Sequence, residues 1–231
     1  MEKILVNRYL DAAILKPELS EVEVLNALAL SVKYAVKSVC VRPCDIELAL
    51  RACKSTQTEV GCVLNFPHGV GPKAVKAYEA GQYIQSGVHE IDMVVNYSYI
   101  KSGKWNWVEE DIAAVCNVTK PAGVLLKVIL ETAMLLPVEI KQATQIAARV
   151  GADFVKTSTG FNGEGATVEA VAAMLEAAAG RIKVKPSGGI RDYERAIMFI
   201  EMGCQRLGVN YTSVAAICDQ APSGSNPVMG Y

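Results

Sequence analysis

The sequence predicts an α/β protein, a single-domain (β/α)₈ TIM barrel. Short apolar, β-branched runs alternate with longer segments of helical period from end to end. Gly87, Gly151, Gly180 and Gly203 each close a helical segment and lead within a few residues into the next apolar run, a recurring phrase that describes a βα unit. Eight such units fit a chain of 231 residues, a length that suits this barrel. A doubly wound open sheet is the runner-up, but the glycine fingerprint expected after its first strand is missing. No linker divides the body, so the barrel is expected over 1–220. The tail 221–231, with Pro, Gly and Ser, reads as a loose segment.

In chain order, the first strand is placed at 6–10 and the first helix at 21–36, headed by the capping box Ser20-Glu21-Val22-Glu23. A strand at 38–41 and a helix at 44–54 follow, then a strand at 59–64 and a helix at 70–86 closed by Gly87. The strand at 90–95 leads to a helix at 105–118, with Trp105 and Trp107 packing at its start. The strand at 124–130 precedes a helix at 137–149, where Pro137 suits the first helical position and Gly151 the end. Strands at 153–157 and 182–185 flank a helix at 167–179. Asp192 caps a helix at 192–202, and a strand at 206–209 with a helix at 211–218 ends the series.

Hydrophobic residues at 51% and charged residues at 20% describe a compact fold rather than a disordered chain. A net charge of −1 gives no footprint for nucleic acid or an anionic membrane. Seven cysteines, an odd number without C-x-x-C spacing, fit reduced thiols in a cytoplasm. Glu2, Lys3, Arg8 and Asp11 charge the N-terminal stretch, which lacks the apolar core of a signal peptide. The expected location is cytoplasmic. With two histidines outside any ligand-spaced motif, neither metal nor other cofactor is expected.

Three lysines sit inside or at the ends of buried-strand patterns. They are Lys127 in Leu125-Leu126-Lys127-Val128-Ile129-Leu130, Lys156 in Asp153-Phe154-Val155-Lys156-Thr157-Ser158, and Lys185 in Ile182-Lys183-Val184-Lys185-Pro186-Ser187, with 29 residues from the first to the second and again from the second to the third. A buried ammonium costs several kcal/mol unless it is paired or loses its proton. Snorkelling to a strand end explains one such lysine, but not three at corresponding places. A free lysine has a pKa of about 10.4, whereas a catalytic one needs about 7–8, reached by burial and a neighbouring cation. Lys156 is the expected imine-forming amine and Lys185 the neighbouring cation. Asp92, in Glu90-Ile91-Asp92-Met93-Val94, is a carboxylate in an apolar strand. It is expected to pair with a lysine across the barrel and to shuttle protons, the bland alternative being a structural ion pair. Asp11 and Glu131 are candidates for similar pairing.

Chemistry in such barrels gathers where strands end. That rim is expected to carry Asp11, Cys40, Asn65, Asn96, Lys127 and Ser158. The opposite rim is expected to carry His89, Asp153 and Arg206. Cys40 is a candidate pocket residue that also reads as a small apolar filler. His68 is a candidate substrate contact and His89 a structural residue. Gly188-Gly189 after strand seven and Gly208-Val209-Asn210 after strand eight fall where phosphate is held in these barrels. The loop Gly160–Gly165 has no Gly-Lys-Ser/Thr and is not a nucleotide loop.

Ser38-Val39-Cys40-Val41, Glu90-Ile91-Asp92-Met93-Val94, Leu126-Lys127-Val128-Ile129-Leu130-Glu131-Thr132, Asp153-Phe154-Val155-Lys156-Thr157-Ser158-Thr159-Gly160 and Lys185-Pro186-Ser187-Gly188-Gly189-Ile190-Arg191 together resemble the deoxyribose-phosphate aldolases, class I aldolases of the barrel type. The resemblance covers nearly the whole chain. It implies that Lys156 forms the Schiff base, Lys185 perturbs it and Asp92 transfers protons. The implied reaction cleaves 2-deoxy-D-ribose 5-phosphate to D-glyceraldehyde 3-phosphate and acetaldehyde without a metal. Asp11, Cys40, Lys127, Thr159, Gly188, Gly189, Gly208 and Asn210 become the candidate substrate-binding set. The expected partners are thus a sugar phosphate and aldehydes, with a homodimer as the commonest assembly.

The chain also departs from the family pattern. Asp11-Ala12-Ala13 stands where Asp-His-Thr is usual, Pro186 where alanine is usual, and Asn65-Phe66-Pro67-His68-Gly69 where a Gly-Phe-Pro-Leu-Gly type of loop is. Gly208-Val209-Asn210-Tyr211 replaces a glycine followed by small residues and serines. These changes bear on phosphate recognition. They motivate the alternative of a related lysine aldolase that joins acetaldehyde or a small ketone to a different or non-phosphorylated acceptor. A non-catalytic sugar-phosphate sensor is a third reading, and it has no need of two neighbouring buried lysines. Tyr231 is a candidate proton relay, if the tail folds over the pocket.

Overall fold

The structure, a computed structural model, describes residues 4–221. The expected tail beyond Ala221, with Tyr231, lies outside the described residues. Eight parallel strands run β1 Leu10–Ile14, β2 Ser38–Val41, β3 Glu59–Leu64, β4 Glu90–Val94, β5 Leu125–Ile129, β6 Phe154–Lys156, β7 Lys183–Lys185 and β8 Leu207–Asn210. They stand side by side in the order β7-β6-β5-β4-β3-β2-β1-β8. Closure comes from backbone bonds between β8 and the segment of β7 and its extension. The N–H of Gly208 donates to Pro186 O at 2.8 Å, that of Gly188 to Gly208 O at 3.3 Å, and that of Gln205 to Val184 O at 3.3 Å.

Around the strands lie α1 Glu21–Lys33, α2 Ile46–Cys53, α3 Lys73–Ser86, α4 Tyr97–Lys101, α5 Trp105–Thr119, α6 Pro137–Val150, α7 Val168–Ala178, α8 Tyr193–Glu201 and α9 Val214–Asp219. The expected capping box forms, with Ser20 and Glu23 bonding each other's backbone N–H. Gly87 and Gly151 close α3 and α6 in the left-handed conformation. The short α4 escapes the sequence pattern because five residues are too few to show a helical period. It is started by Asn96, whose side chain accepts the Ser98 N–H.

Alternation along the strands separates two kinds of interior. Leu10, Ala12, Ile14, Val39, Val41, Val60, Cys62, Leu64, Ile91, Met93, Leu126, Val128, Val155, Val184, Leu207 and Val209 belong to the main apolar core, the layer shared with the helices. The intervening residues point to the barrel axis and are largely polar there. They include Asp11, Glu90, Asp92, Lys127, Lys156 and Lys185, all buried. A smaller apolar cluster of Leu15, Cys40 and Val63, with Ala13 and Phe66 against it, stands apart from the main core.

The first strand is a correction. The sequence places it at 6–10, but Val6–Tyr9 forms a 3₁₀ turn and the strand is Leu10–Ile14. The reason lies in two polar side chains. Asn7 Nδ2 donates to Tyr34 O and Ala35 O at 3.0 and 3.1 Å, and the Arg8 guanidinium donates to Ala35, Val36 and Gln57 carbonyls. These bonds hold the turn against the loop after α1, and the strand begins beyond them. Asp11 therefore lies within the strand, paired in register with Ser38 and Gly208, instead of at its C-terminal end. The first helix ends at Lys33 because Ala35 takes a positive φ of 47°. Among the described residues no helix is long and apolar enough to cross a membrane.

Candidate active site

Seven ionic side chains meet along the barrel axis. Asp92 is at their centre. Its Oδ2 accepts from both Lys156 Nζ and Lys185 Nζ at 2.8 Å, and its Oδ1 accepts from Lys127 Nζ at 2.9 Å. The registers Asp92↔Lys127 and Lys156↔Lys185 set this up, since partners in register present their side chains at one height. Beneath, Lys185 Nζ meets Asp11 Oδ2 at 2.5 Å, and Arg206 Nε donates to Asp11 Oδ1 at 2.7 Å. Glu90 bridges Lys127 and Arg206, one carboxylate oxygen to each. Lys127 also lies 3.7 Å from Asp11 Oδ2.

Burial and pairing compete at every member. Burial raises the Asp92 carboxyl, but Lys127, Lys156 and Lys185 outweigh it and hold the group well below the ordinary carboxylate range. Burial raises Asp11 likewise, and Lys185, Lys127 and Arg206 bring it down. Burial lowers Lys127, yet Asp92, Glu90 and Asp11 hold its proton more tightly than in a free lysine. At Lys156 burial and the Lys127 charge lower the proton affinity, but the contact with Asp92 wins and the net direction is upward. This differs from the lowered value expected from sequence. In the resting site Asp92 holds the proton on Lys156.

Above the network opens a cavity of about 400 Å³. Thr159, Gly188, Gly189, Gly208 and Asn210, five of the expected substrate-binding residues, line it. Two exposed cations that sequence reading passed over, Lys16 and Arg191, line it as well. Gly188, Gly189 and Gly160 have positive φ, and a Cβ on Gly165 would stand 2.4 Å from the Gly188 carbonyl carbon. The glycines thus let the loop after β6 lie directly on the loop after β7. Gly208 gives room to the network itself: a Cβ there would meet Ser187 Oγ at 2.3 Å and Lys185 Cε at 3.3 Å.

The other expected residues fall elsewhere. Asp11 and Lys127 lie in the ionic network below the cavity, not in its wall. Cys40 is 3% exposed in the small apolar cluster beside Asp92 and Lys156, and burial pushes its thiol up to about 12. Arg206, expected at the opposite rim, reaches up into the network. His89 Nδ1 accepts the Val60 N–H and Asp153 Oδ2 accepts the Leu126 N–H, both structural contacts. His68 is exposed and lines a different depression with Asn65, Phe66 and Glu79.

Glu131 does not pair with a lysine. Fully buried and at a positive φ of 59°, it accepts from Thr159 N at 3.1 Å, Thr159 Oγ1 at 2.5 Å and Asn162 Nδ2 at 3.3 Å. Asn162 Nδ2 also donates to Pro67 O at 3.0 Å, and Phe161 packs edge-on against Phe66 at 5.1 Å. Glu131 thereby fixes the loop that walls the cavity next to Lys156.

A family model described as "DeoC/LacD family aldolase" matches residues 7–203. The chain belongs to this family. Among DeoC/LacD aldolases and their relatives, the deoxyribose-phosphate aldolase of Streptococcus sanguinis is 43% identical over 219 residues, covering 95% of this chain and 98% of its own. The solved structure of "QR15, an Aldolase" superposes with a TM-score of 0.86 at 40% identity, over 93% of this chain and 95% of that one. The deoxyribose-phosphate aldolase of Aeropyrum pernix, described as a unique tetrameric structure, gives a TM-score of 0.84 at 26% identity, over 93% and 89%. The barrel of this DeoC/LacD member is therefore that of solved aldolases.

Proposed function

We propose that this chain is a deoxyribose-phosphate aldolase that cleaves and forms 2-deoxy-D-ribose 5-phosphate through a Schiff base on Lys156. The observation that carries this reading is the single oxygen, Asp92 Oδ2, shared by Lys156 and Lys185 at 2.8 Å each. An amine buried against a carboxylate and beside a second cation has both a proton acceptor and a reason to stay neutral once released.

As an aldehyde enters, Lys156 Nζ passes a proton to Asp92 Oδ2, and the neutral amine attacks the carbonyl carbon. Asp92 returns that proton to the carbinolamine hydroxyl, which leaves as water, so that an iminium and an ionised Asp92 remain. Asp92 takes the hydroxyl proton as the C–C bond breaks, the bond's electrons pass into the iminium, and the enamine of acetaldehyde remains. Protonation and hydrolysis return Lys156. The released fragment, D-glyceraldehyde 3-phosphate, fits a cavity lined by Lys16, Arg191 and the Gly188-Gly189 backbone, groups suited to an anion. Six of the seven cysteines are buried, in keeping with a cytoplasmic setting.

One observation favours a second reading, an acceptor without phosphate. The aromatic Phe161, exposed to the cavity, forms part of the wall. Steady-state cleavage of 2-deoxyribose 5-phosphate against 2-deoxyribose decides. The main reading expects a clear preference for the phosphate ester, abolished with all turnover in Lys156→Leu. Equal turnover of both sugars moves the second reading to the front.

A further inference from the structure

We propose that Glu90 and Arg206 are positioning residues that set, through the net charge of the buried cluster, how readily Lys156 yields its proton. This rests on the reading of Lys156 as the reacting amine.

The cluster holds four cations, Lys127, Lys156, Lys185 and Arg206, against three carboxylates, Asp11, Glu90 and Asp92. None of these side chains is more than 5% exposed, so water screens them little and one positive charge stands in excess. The excess falls on the member with the fewest carboxylate contacts. Lys127 contacts Asp11, Glu90 and Asp92; Lys185 contacts Asp11 and Asp92; Arg206 contacts Asp11 and Glu90 and cannot shed a proton in a protein. Lys156 contacts Asp92 alone, and shares the oxygen. It is the member whose deprotonation neutralises the cluster at least loss.

Every element facing this amine is accounted for in that balance. β1 brings Asp11 and β4 brings Glu90 and Asp92, while β5 and β7 bring Lys127 and Lys185 and the residue before β8 is Arg206. From β2, Cys40 stays a neutral thiol, held protonated chiefly by burial, and β3 brings only Gly61 and Val63, which carry no charge. Ser38 of β2 adds only a hydroxyl, 3.4 Å from Arg206 Nη2. Glu90 and Arg206 reach Lys156 through Lys127, Asp11 and Asp92, so they act on it by charge and not by contact.

The test is the pH dependence of imine formation, measured as the rate at which acetaldehyde and borohydride place an ethyl group on Lys156. Glu90→Gln raises the excess charge and is expected to move the limb about one unit to lower pH; Arg206→Met cancels the excess and moves it about one unit higher, a roughly tenfold loss at a fixed pH below the limb. The double variant keeps the original charge balance, and its limb returns to the position of the unaltered protein. Arg206→Lys leaves the limb in place whatever it does to the rate. Should Arg206→Met not fold, Glu90→Gln, Arg206→Lys and the double variant decide between them. Single variants that shift the limb in one direction, no shift at all, or a double variant that compounds the two losses would each overturn the proposal. Absence of the adduct from the unaltered protein overturns instead the reading of Lys156.

Discussion

At the scale of the residue, Asp92 governs the site because two carboxylate oxygens serve three ammonium groups. Lys185 competes with Lys156 for one of them. Removing that competitor in Lys185→Leu gives the oxygen wholly to Lys156, strengthens its hold on the proton and takes away a neighbouring positive charge. We expect kcat/KM for cleavage to fall by about two to three orders of magnitude at neutral pH and to recover in part as pH rises, within the usual range for a lost acid–base group. A pH–rate profile checks this, and an unmoved profile contradicts it. The lysines and Asp92 were legible in the sequence because charges within apolar, β-branched runs demand partners. Glu90 and Arg206 were not, because they sit next to strand ends, where charge is ordinary. The upward direction at Lys156 was also beyond reach, since it depends on a 2.8 Å contact with a residue 64 positions away.

At the scale of the element, one strand frame and one loop carry the lesson. The sequence places β1 four residues early because Val6 and the tyrosine at 9 look more strand-like than Ala12-Ala13, whereas the side chains of Asn7 and Arg8 bond loop carbonyls and hold that segment as a turn. That shift moved Asp11 from the rim to the ionic network. The loop after β6 was read from its glycines as not binding nucleotide, but its clamp was invisible, since Glu131 looked like another lysine partner. Glu131→Gln loses an acceptor for the Thr159 hydroxyl and loosens the wall of the cavity while leaving the lysines paired. A buried polar group left unmatched costs about 1–3 kcal/mol. We expect KM for 2-deoxyribose 5-phosphate to rise about tenfold or more, with a smaller loss of kcat, by steady-state kinetics. Equal losses in both would point to a general loosening of the site.

At the scale of the whole molecule, a barrel axis filled with charge makes the fold depend on pH. Asp11, Glu90 and Asp92 have folded-state pKa values below their unfolded ones. Their contribution to stability is therefore complete above the unfolded carboxylate range, about pH 4, and is lost as pH falls below it toward the folded values. Thermal denaturation should show a melting temperature steady from neutral pH down to about pH 5 and falling steeply below about pH 4. A decline already under way near pH 6 would contradict this. The eight βα units, their order and the closing helix–glycine turns were readable from alternating period and turn residues. Closure of β8 on β7 rests on backbone bonds around Gly208 and Pro186, which no side-chain pattern reports.

All three scales converge on one nitrogen, Lys156 Nζ. The most direct measurement is to treat the protein with acetaldehyde and borohydride, take the intact mass and map the modified peptide, with Lys156→Leu alongside. The structure predicts one ethyl group per chain, on Lys156 and absent from the variant. No adduct, or ethyl groups spread over surface lysines in both proteins, would mean that the buried cluster is not poised for imine chemistry.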